Sequence, residues 1–531
     1  MMEKYQLAQS LMDNFRMFSS MLEEKAMLYQ DKNFVESITQ NKNITYRQML
    51  RVCNQIGHFL KRKGFKANDR VVLLAENSLE NLVVFLAVLG YGATFCPINV
   101  EINEKIIGEL VEKIQPKLVL WDSTVDGIVL SKGASGEWIP LGEWDPKVQN
   151  EKGGEQLFSM LERYPETPVG LPVCKGEDFC IIVHTSGTTA KPKGVIHTYG
   201  AVLGQIEALA LVTGMTDTDR ILEYRPFSWG SAQTLGFLAP FYTGATVVMA
   251  RKFSQSRFFD WLKDYRITIA VAVPAVINML LAKPLEFRKA NFPFLRYITS
   301  SSAPLSIAQH LKFEEMYGIK IIQLYGMSEA GWISGNHPEY RKIGSVGRPM
   351  KYQEVKISNN GVLCPPGTIG EIGVGGLQRS HGYLEEGGVI VPFGDESLRT
   401  GDVGFLDEEG FLHLTGRMKD LIIRGGVNIA PLEIDNILLQ HPNVAEAATV
   451  GVPDPIYGEE VVSYVVCKMG KNLQGESLLD HCHFKLPDFK MPREIVFVNS
   501  IPKTDRGKID RNSLVEEWKR SHNKGQPSSA L

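Results

Sequence analysis

The feature that most constrains the fold is an alternation of strand and helix patterns through the first two thirds of this 531-residue chain. A helix pattern follows a predicted capping box, in which Thr45 and Gln48 satisfy each other's backbone N–H groups. An apolar strand (70–74), a buried helix from about residue 80 and a second strand (94–98) come next. Further strands are predicted at 181–183, 246–250, 269–273, 297–300 and 319–324. Strands that alternate with helices of this length predict α/β layers built on parallel sheets.

The pattern changes after about residue 344, where glycine, proline and short alternating runs indicate antiparallel strands with bulges or a small barrel. From Leu421 onward, a strand, a helix at 431–439 and further strands indicate a compact α+β unit. We therefore predict two domains, at residues 1–418 and 419–531, within the roughly two to four that the length allows.

Composition argues against several classes of partner and location. Fifty-seven basic residues against 60 acidic residues give a net charge of −3, which disfavours a protein that tracks nucleic-acid phosphates. The most apolar stretch, 82–98, contains Gly90, Gly92 and Pro97 and is too short to span a membrane. Seven scattered cysteines without a C-x-x-C pair are typical of free thiols in a reducing compartment, so we expect a cytoplasmic protein.

A loop rich in hydroxyl groups, glycine and lysine directly follows the apolar strand at 180–183. Its residues 184–194 read HTSGTTAKPKG. Hydroxyl and backbone N–H donors together with lysine charge suit a polyphosphate, and a Ser/Thr-rich surface turn is the other interpretation. The loop has neither the G-x-x-x-x-G-K-[ST] spacing of a Walker A motif nor a G-x-G-x-x-G fingerprint.

This loop resembles the [ST]SGTTGKPKG signature of the acyl-adenylating superfamily, which includes acyl-CoA synthetases, adenylation domains of peptide synthetases and luciferases. Ala190 departs from the pattern, because glycine usually stands there and alanine disfavours a positive φ. Further segments resemble the motifs of that superfamily in its order: 300–305 (SSSAPL), 323–329 (QLYGMSE), 400–402 (TGD), 416–420 (GRMKD) and 502–508 (PKTDRGK). The adenine segment departs too, since Ser301 and Ser302 replace two glycines.

The resemblance implies an AMP-forming acyl-CoA synthetase. Its expected fold is α/β, with a large N-terminal domain of layered sheets and helices, a small β-barrel-like subdomain, and a small mobile α+β C-terminal domain. Such an enzyme activates a carboxylic acid with ATP to an acyl-adenylate, releases pyrophosphate, and transfers the acyl group to the thiol of coenzyme A. ATP, Mg²⁺ and coenzyme A are the implied cofactors, and the family also leaves room for a homodimer.

By resemblance, three residues carry the adenylation step. Lys508 reaches the α-phosphate and acyl oxygens, Ser328 donates to the α-phosphate, and Glu329 binds Mg²⁺. Asp402 accepts hydrogen bonds from both ribose hydroxyls, and Arg417 contacts the ribose. The other residues expected to bind ATP and AMP are Thr185, Ser186, Gly187, Thr188, Thr189, Lys193, Ser302, Ala303, Pro304, Gln323, Tyr325, Gly326 and Met327.

The same resemblance assigns the thioester-forming step to the C-terminal domain. Gly425 and Gly426 are expected to line the pantetheine tunnel, and Lys419 stands at the hinge on which that domain rotates between the two half-reactions.

Three residues are expected at the acyl pocket, namely Trp229, Ser301 and Trp332. Trp229 aligns with a histidine of many relatives, and an indole cannot act as a base. The two bulky indoles favour a small, branched or cyclic acid over a long alkyl chain, although both tryptophans could equally be core residues.

Two other functions remain open from the sequence. A stand-alone adenylation enzyme that loads a carrier protein would carry the same motifs. An α/β-hydrolase is the more distant rival, because 326–330 (GMSEA) nearly matches the G-x-S-x-G nucleophile elbow. The hydrolase interpretation leaves the other motifs unexplained.

Overall fold

The computed structural model describes residues 17–125, 136–144, 155–185, 192–284, 291–394, 396–471, 473–504 and 508–522. Its strands are β1 (Asn33–Ser37), β2 (Lys42–Thr45), β3 (Arg70–Leu74), β4 (Thr94–Ile98), β5 (Leu118–Trp121), β6 (Glu137–Pro140), β7 (Phe179–Thr185), β8 (Lys193–Thr198), β9 (Arg220–Glu223), β10 (Thr246–Met249), β11 (Ile269–Ala270), β12 (Tyr297–Ser300), β13 (Ile321–Met327), β14 (Gly331–Gly335), β15 (Arg348–Pro349), β16 (Gln353–Asn359), β17 (Val362–Leu363), β18 (Gly370–Gly376), β19 (Gly382–Leu384), β20 (Ile390–Pro392), β21 (Leu398–Leu406), β22 (Leu412–Arg417), β23 (Ile422–Arg424), β24 (Val427–Ile429), β25 (Val444–Asp454), β26 (Gly458–Cys467) and β27 (Glu494–Phe497).

Its α-helices are α1 (Phe18–Tyr29), α2 (Tyr46–Arg62), α3 (Leu79–Tyr91), α4 (Glu104–Ile114), α5 (Leu157–Met160), α6 (Tyr199–Thr213), α7 (Gly230–Gln233), α8 (Ala239–Thr243), α9 (Phe258–Asp264), α10 (Pro274–Ala282), α11 (Ile307–Tyr317), α12 (Pro431–Leu438), α13 (Gly475–His483) and α14 (Arg511–His522). A π-helical turn, Thr234–Leu238, joins α7 to α8. The capping box that the sequence predicts at α2 is confirmed, since Thr45 Oγ1 accepts the Gln48 N–H and Gln48 Oε1 accepts the Thr45 N–H at 2.9 Å.

Two large sheets, mostly parallel, form the first part of the molecule. One has the strand order β15-β14-β13-β12-β11-β9-β10-β1-β2, in which the strands from β13 to β1 run parallel to their neighbours. The other has the order β20-β19-β8-β7-β4-β3-β5-β6, and its strands from β7 to β6 are parallel. The α/β fold class predicted from the alternating patterns is confirmed.

One large cluster of buried side chains draws from both of these sheets and from helices α1, α2 and α3. Helix α3 is apolar on every side, because nearly all of its residues lie in this core. The continuous apolar stretch in the sequence is therefore a buried helix that leads into the buried strand β4.

The region after residue 344 forms an antiparallel sheet with the linear order β17-β16-β18-β21-β22. Register shifts interrupt the pairing of β18 with β21 and of β21 with β22. Of the two alternatives open from the sequence, the structure has antiparallel strands with bulges.

The last sheet has the order β24-β23-β26-β25, with β27 parallel to β26. Helices α12, α13 and α14 accompany it, and two small apolar clusters stabilise this part of the chain. The turn of residues 418–420 separates the last strand of the preceding sheet from β23.

Candidate active site

Three side chains from two sheets meet in what we call the Tyr–Asp–Arg cluster. Tyr325, near the end of β13, donates its hydroxyl to Asp402 Oδ2 at 2.6 Å, and Arg417 Nε donates to Asp402 Oδ1 at 2.9 Å. Asp402 on β21 pairs directly with Arg417 on β22, so strand register sets this contact. Burial raises the pKa of Tyr325 well above its ordinary value, and the neighbouring carboxylate raises it further. The phenol therefore stays protonated and donates to Asp402.

A second group of residues lies around the turn that follows β13. Glu329 Oε1 accepts a hydrogen bond of 3.0 Å from the hydroxyl of Tyr383 on β19. Lys193 Nζ lies 4.9 Å from the centre of the same tyrosine ring, within cation–π range. The backbone carbonyl of Glu329 also accepts from the N–H and the hydroxyl of Ser380. The structure thus brings Lys193 to the ring and Glu329 to the hydroxyl of one tyrosine.

Ser328 lies in the same turn and is half-buried. Its backbone is hydrogen-bonded to His197 on β8. Burial lowers the pKa of His197 to about 4, so this imidazole is neutral at neutral pH. The turn that carries Ser328 and Glu329 is therefore held from β8 and from β19.

The hydroxyl-rich loop connects two antiparallel strands. Thr185 ends β7, Lys193 begins β8, and the two residues are paired across the hairpin. A strand-to-strand hairpin is a different setting from the strand-to-helix turn of a Walker A loop. Four further predicted nucleotide-binding residues lie outside the described residues: Ser186, Gly187, Thr188 and Thr189.

The segment after β12 contains a backbone feature that the sequence did not indicate. Ser302 adopts φ +75°, in the left-handed region that favours glycine, and it stands where the family pattern has glycine. Ser301 is buried, and its hydroxyl has no hydrogen-bond partner among the described residues. Ala303 is half-buried, while Pro304 is exposed.

Two predicted nucleotide-binding residues on β13, Gly326 and Gln323, have close neighbours on other elements. A Cβ at Gly326 would lie 2.4 Å from the carbonyl oxygen of Gly331, because β14 folds back tightly onto β13. Gln323 is buried, and its Nε2 is 3.1 Å from His310 Nδ1. Met327, also predicted to bind nucleotide, packs in the apolar cluster beneath Tyr325.

The hydrolase interpretation is wrong. A nucleophile elbow places its serine between a strand and a helix. Ser328 instead lies between two antiparallel strands, because β14 begins at Gly331.

The two tryptophans expected at the acyl pocket have different environments. Trp332 on β14 is buried in an apolar cluster, and its indole N–H donates to Thr234 Oγ1 at 2.9 Å. Trp229 is half-buried and packs against the large core. Its loop is held by Asn77, whose side chain bonds the carbonyl of Arg225 and the N–H of Phe227.

The residues predicted for the C-terminal part of the site lie on exposed turns. Lys508 is exposed, and it belongs to what we call the lysine turn, whose described parts are residues 502–504 and 508–510. Gly425 and Gly426 join β23 to β24 with φ +58° and +83°, and a Cβ at Gly426 would have no atom of the described residues within 4 Å. Lys419 is exposed in the turn that leads into β23.

The carboxylate of Glu329 is chemically suited to Mg²⁺. Magnesium prefers one or two carboxylates together with phosphate oxygens and water, and it does not need a cage made only of protein ligands. Among the described residues, no group of three or more His, Cys, Asp or Glu side chains is arranged to hold a metal ion. A single carboxylate that is already oriented by Tyr383 fits a nucleotide-bound magnesium.

The comparisons with known proteins identify the family of this chain. The chain belongs to the AMP-binding enzyme family, whose model matches residues 22–384. The model of the AMP-binding enzyme C-terminal domain matches residues 433–508. The resemblance to the acyl-adenylating superfamily predicted from the motifs is therefore confirmed.

Relatives of nearly the same length are similar to this chain throughout. A probable CoA ligase, CCL9, of Humulus lupulus is 28% identical over 94% of this chain and 96% of its own length. An oxalate–CoA ligase of Saccharomyces cerevisiae is 30% identical over 91% of this chain and 94% of its own. The crystal structure of ATP-bound MatB from Rhodopseudomonas palustris aligns with a TM-score of 0.83 at 25% identity, covering 95% of this chain and 99% of that one.

Sequence reasoning missed Tyr383 and His197, because neither belongs to a motif singled out above. Each becomes part of the site only through pairing of β8 with its neighbours. Among the described helices, none is both long enough and apolar enough to cross a membrane.

Proposed function

We propose that this protein is an AMP-forming CoA ligase. In the first half-reaction the carboxylate of the acid attacks the α-phosphate of ATP, giving an acyl-adenylate and pyrophosphate. In the second, the thiol of coenzyme A attacks the acyl carbon and releases AMP. The observation that carries this proposal is that β13 and the turn that follows it hold both Tyr325 of the Tyr–Asp–Arg cluster and Glu329, each oriented by a hydrogen bond from or to a separate strand.

The Tyr–Asp–Arg cluster suits the ribose of the nucleotide. Asp402 is 8% exposed and is held from both sides, so its carboxylate is oriented before ligand binds. A carboxylate oxygen can accept more than one hydrogen bond, and two adjacent ribose hydroxyls can share one carboxylate. Tyr325 offers its ring as a surface for adenine, while its hydroxyl keeps Asp402 in place.

Lys193, Ser328 and Glu329 suit the phosphates. Lysine neutralises charge on the leaving pyrophosphate, and the serine hydroxyl can donate to the α-phosphate. When Mg²⁺ is bound, it supplies positive charge to the phosphate oxygens, and Glu329 would hold it. Tyr383 keeps that carboxylate in one orientation through its 3.0 Å hydrogen bond.

The C-terminal residues are proposed to serve the two half-reactions in turn. We place the domain boundary at residues 418–419, which is supported by the change of sheet between β22 and β23. Lys508 then serves adenylation, and the open glycine turn at Gly425 and Gly426 admits the pantetheine arm. Lys419 is the proposed hinge, and its exposure on a short turn suits that role.

The substrate is proposed to be a small, branched or cyclic carboxylic acid. The half-buried Trp229 restricts the space for an acyl chain, and the unpartnered hydroxyl of Ser301 can donate a hydrogen bond to a polar acyl group. Trp332, which is packed in the core, would form a fixed wall of the acyl pocket.

The protein is proposed to be cytoplasmic. All seven cysteines are free thiols, which supports that location.

The direct test is a screen of pyrophosphate release with purified protein, ATP and Mg²⁺ over short, branched, aromatic and long-chain acids. We expect acid-dependent pyrophosphate release with small or cyclic acids, and consumption of free coenzyme A when it is added. Acid-dependent pyrophosphate release with transfer only to a phosphopantetheinylated protein would instead identify a carrier-loading enzyme. Absence of acid-dependent release with every acid would overturn the proposal.

A further inference from the structure

A buried ion pair in the C-terminal part of the chain connects three elements. Asp435 on α12 is 1% exposed, and its Oδ1 accepts the backbone N–H of Thr449 on β25 at 2.6 Å. Its Oδ2 accepts from the guanidinium of Arg511, the first residue of α14. Arg511 Nε also donates to the carbonyl of Thr449 at 3.0 Å. The carboxylate and the guanidinium thus grip the same peptide segment of β25.

Arg511 is close in sequence to the lysine turn, because it follows Lys508 by three residues. The two described arms of the turn are hydrogen-bonded to each other. Thr504 N–H donates to the carbonyl of Lys508 at 2.8 Å, and Lys503 forms an antiparallel bridge with Ile509. The described arms of the turn are therefore joined to β25 at two places: Lys503 of the first arm pairs with Glu446, and the last arm leads into Arg511, which bonds Thr449.

Burying the ion pair of Asp435 and Arg511 costs desolvation free energy, which indicates a role other than packing. Burial raises the pKa of Asp435 to about 6, although Arg511 and the Thr449 N–H favour the charged form. Buried ion pairs often stabilise less than well-packed apolar groups, and their best-attested use is to fix one register of packing. A guanidinium that donates to two oxygens at once has a well-defined orientation, so Arg511 holds the start of α14 in one position against β25.

We propose that Asp435 and Arg511 are positioning residues for Lys508. Their ion pair sets where the lysine turn sits above β25, so it governs the adenylation half-reaction and leaves the thioester-forming half-reaction largely unchanged. The proposal rests on the proposed function in one respect, namely that Lys508 serves adenylation.

The principal test is Arg511→Lys, which keeps the positive charge but loses the fork. We expect the kcat of acid-dependent ATP–pyrophosphate exchange to fall about tenfold, with the KM for ATP within about twofold, because the nucleotide contacts lie on other sheets. Thioester formation from preformed acyl-adenylate should change less than about twofold. Asp435→Asn, a nearly isosteric neutral variant, should show the same split.

The control is Glu433→Gln on the same helix. Glu433 pairs with Lys490 Nζ at 2.7 Å and not with Arg511, so this variant breaks an ion pair of α12 without releasing Arg511. Both half-reactions should be retained. The inference is wrong if Arg511→Lys lowers both half-reactions equally, or if neither Arg511→Lys nor Asp435→Asn slows adenylation.

A double-variant cycle separates positioning from general stability. If Arg511 acts through Lys508, adding Arg511→Lys to Lys508→Ala should cause no further loss of adenylation. Additive losses would contradict the inference. Adenylation that survives in Lys508→Ala alone would refute the proposed function of that lysine, whereas loss there without loss in Arg511→Lys would refute only the positioning role.

Discussion

The Tyr–Asp–Arg cluster and the lysine turn are built in opposite ways. In the cluster, strand register pairs Asp402 with Arg417, and the contact between two sheets brings Tyr325 to Asp402. Tyr325 and Asp402 are both about nine-tenths buried. Lys508 stands exposed on a turn whose arms are bonded mainly to each other. A nucleotide that stays bound through both half-reactions needs a fixed site, whereas a charge needed in only one of them can come from a separate element. The difference predicts which variants affect one half-reaction and which affect both.

The largest expected effect is that of Lys508→Ala. Removing the positive charge should slow adenylation by about 100- to 1,000-fold, the usual effect of losing one preorganised group at a charged transition state. Thioester formation from preformed acyl-adenylate should be largely retained. Lys519→Ala is the matched control, because that lysine lies on α14 in the same part of the chain and pairs with Glu516 of its own helix. Equal loss of both half-reactions in Lys508→Ala would refute the division of labour.

Gly426→Val should give the reverse pattern. The glycine has φ +83°, so a branched side chain both strains the turn and fills the space proposed for the pantetheine arm. Thioester formation should fall by about 10- to 100-fold, as misplacement of a reacting group does, while ATP–pyrophosphate exchange continues. Gly470→Val tests the strain alone, since Gly470 has φ +73° and equally open surroundings. Normal coenzyme A turnover in Gly426→Val would refute the assignment of this glycine to the pantetheine tunnel.

Asp402→Asn should affect both half-reactions, because the nucleotide is held in both. A hydrogen bond to a charged group contributes about 1.5–3 kcal/mol, so kcat/KM for ATP should fall by about 10- to 100-fold. The test is to measure kcat/KM for ATP in the first half-reaction and, separately, the turnover of preformed acyl-adenylate in the second. The control is Asp407→Asn, a carboxylate near the same sheet that bonds Lys342 and His413 instead. An effect of Asp402→Asn confined to adenylation would show that the cluster is not a common nucleotide site.

The smallest expected effect is that of Tyr383→Phe, which removes only the hydroxyl that orients Glu329. A hydrogen bond to a carboxylate contributes about 1.5–3 kcal/mol, but this one orients Glu329 and does not itself bind the nucleotide. Only part of that energy is lost from the transition state, so adenylation should fall by about 2- to 10-fold. The Mg²⁺ concentration for half-maximal rate should rise with it. Tyr352→Phe, which loses a 2.9 Å bond to Glu207, should leave the magnesium dependence unchanged. An unchanged magnesium dependence in Tyr383→Phe would mean that Glu329 does not hold the metal.

The parts of the fold that could be predicted from the sequence are those that depend only on residues close together along the chain. Thr45 and Gln48 are three residues apart, so their capping box is visible without any tertiary information. The same is true of the apolar strands at 70–74 and 94–98. Strand 269–273 was predicted too long, because only Ile269–Ala270 pairs with both neighbours and the chain then turns toward α10.

The site itself was only partly predictable. The resemblance of the motifs assigns Tyr325, Glu329 and Asp402 to a nucleotide site, and the structure places Tyr325 against Asp402 and Glu329 in the turn that follows β13. Nothing in the letters indicates that the hydroxyl of Tyr325 binds Asp402, or that Tyr383 binds Glu329.

The sequence by itself determined the family, the class of chemistry and the order of its motifs, because each motif is a run of neighbouring residues whose side-chain chemistry needs no partner to be read. Tertiary structure alone decided the partners. Tyr325 and Asp402 are 77 residues apart, Glu329 and Tyr383 are 54 apart, and Asp435 and Arg511 are 76 apart. Such contacts depend on how separate sheets and helices pack against one another, which a run of neighbouring residues does not specify.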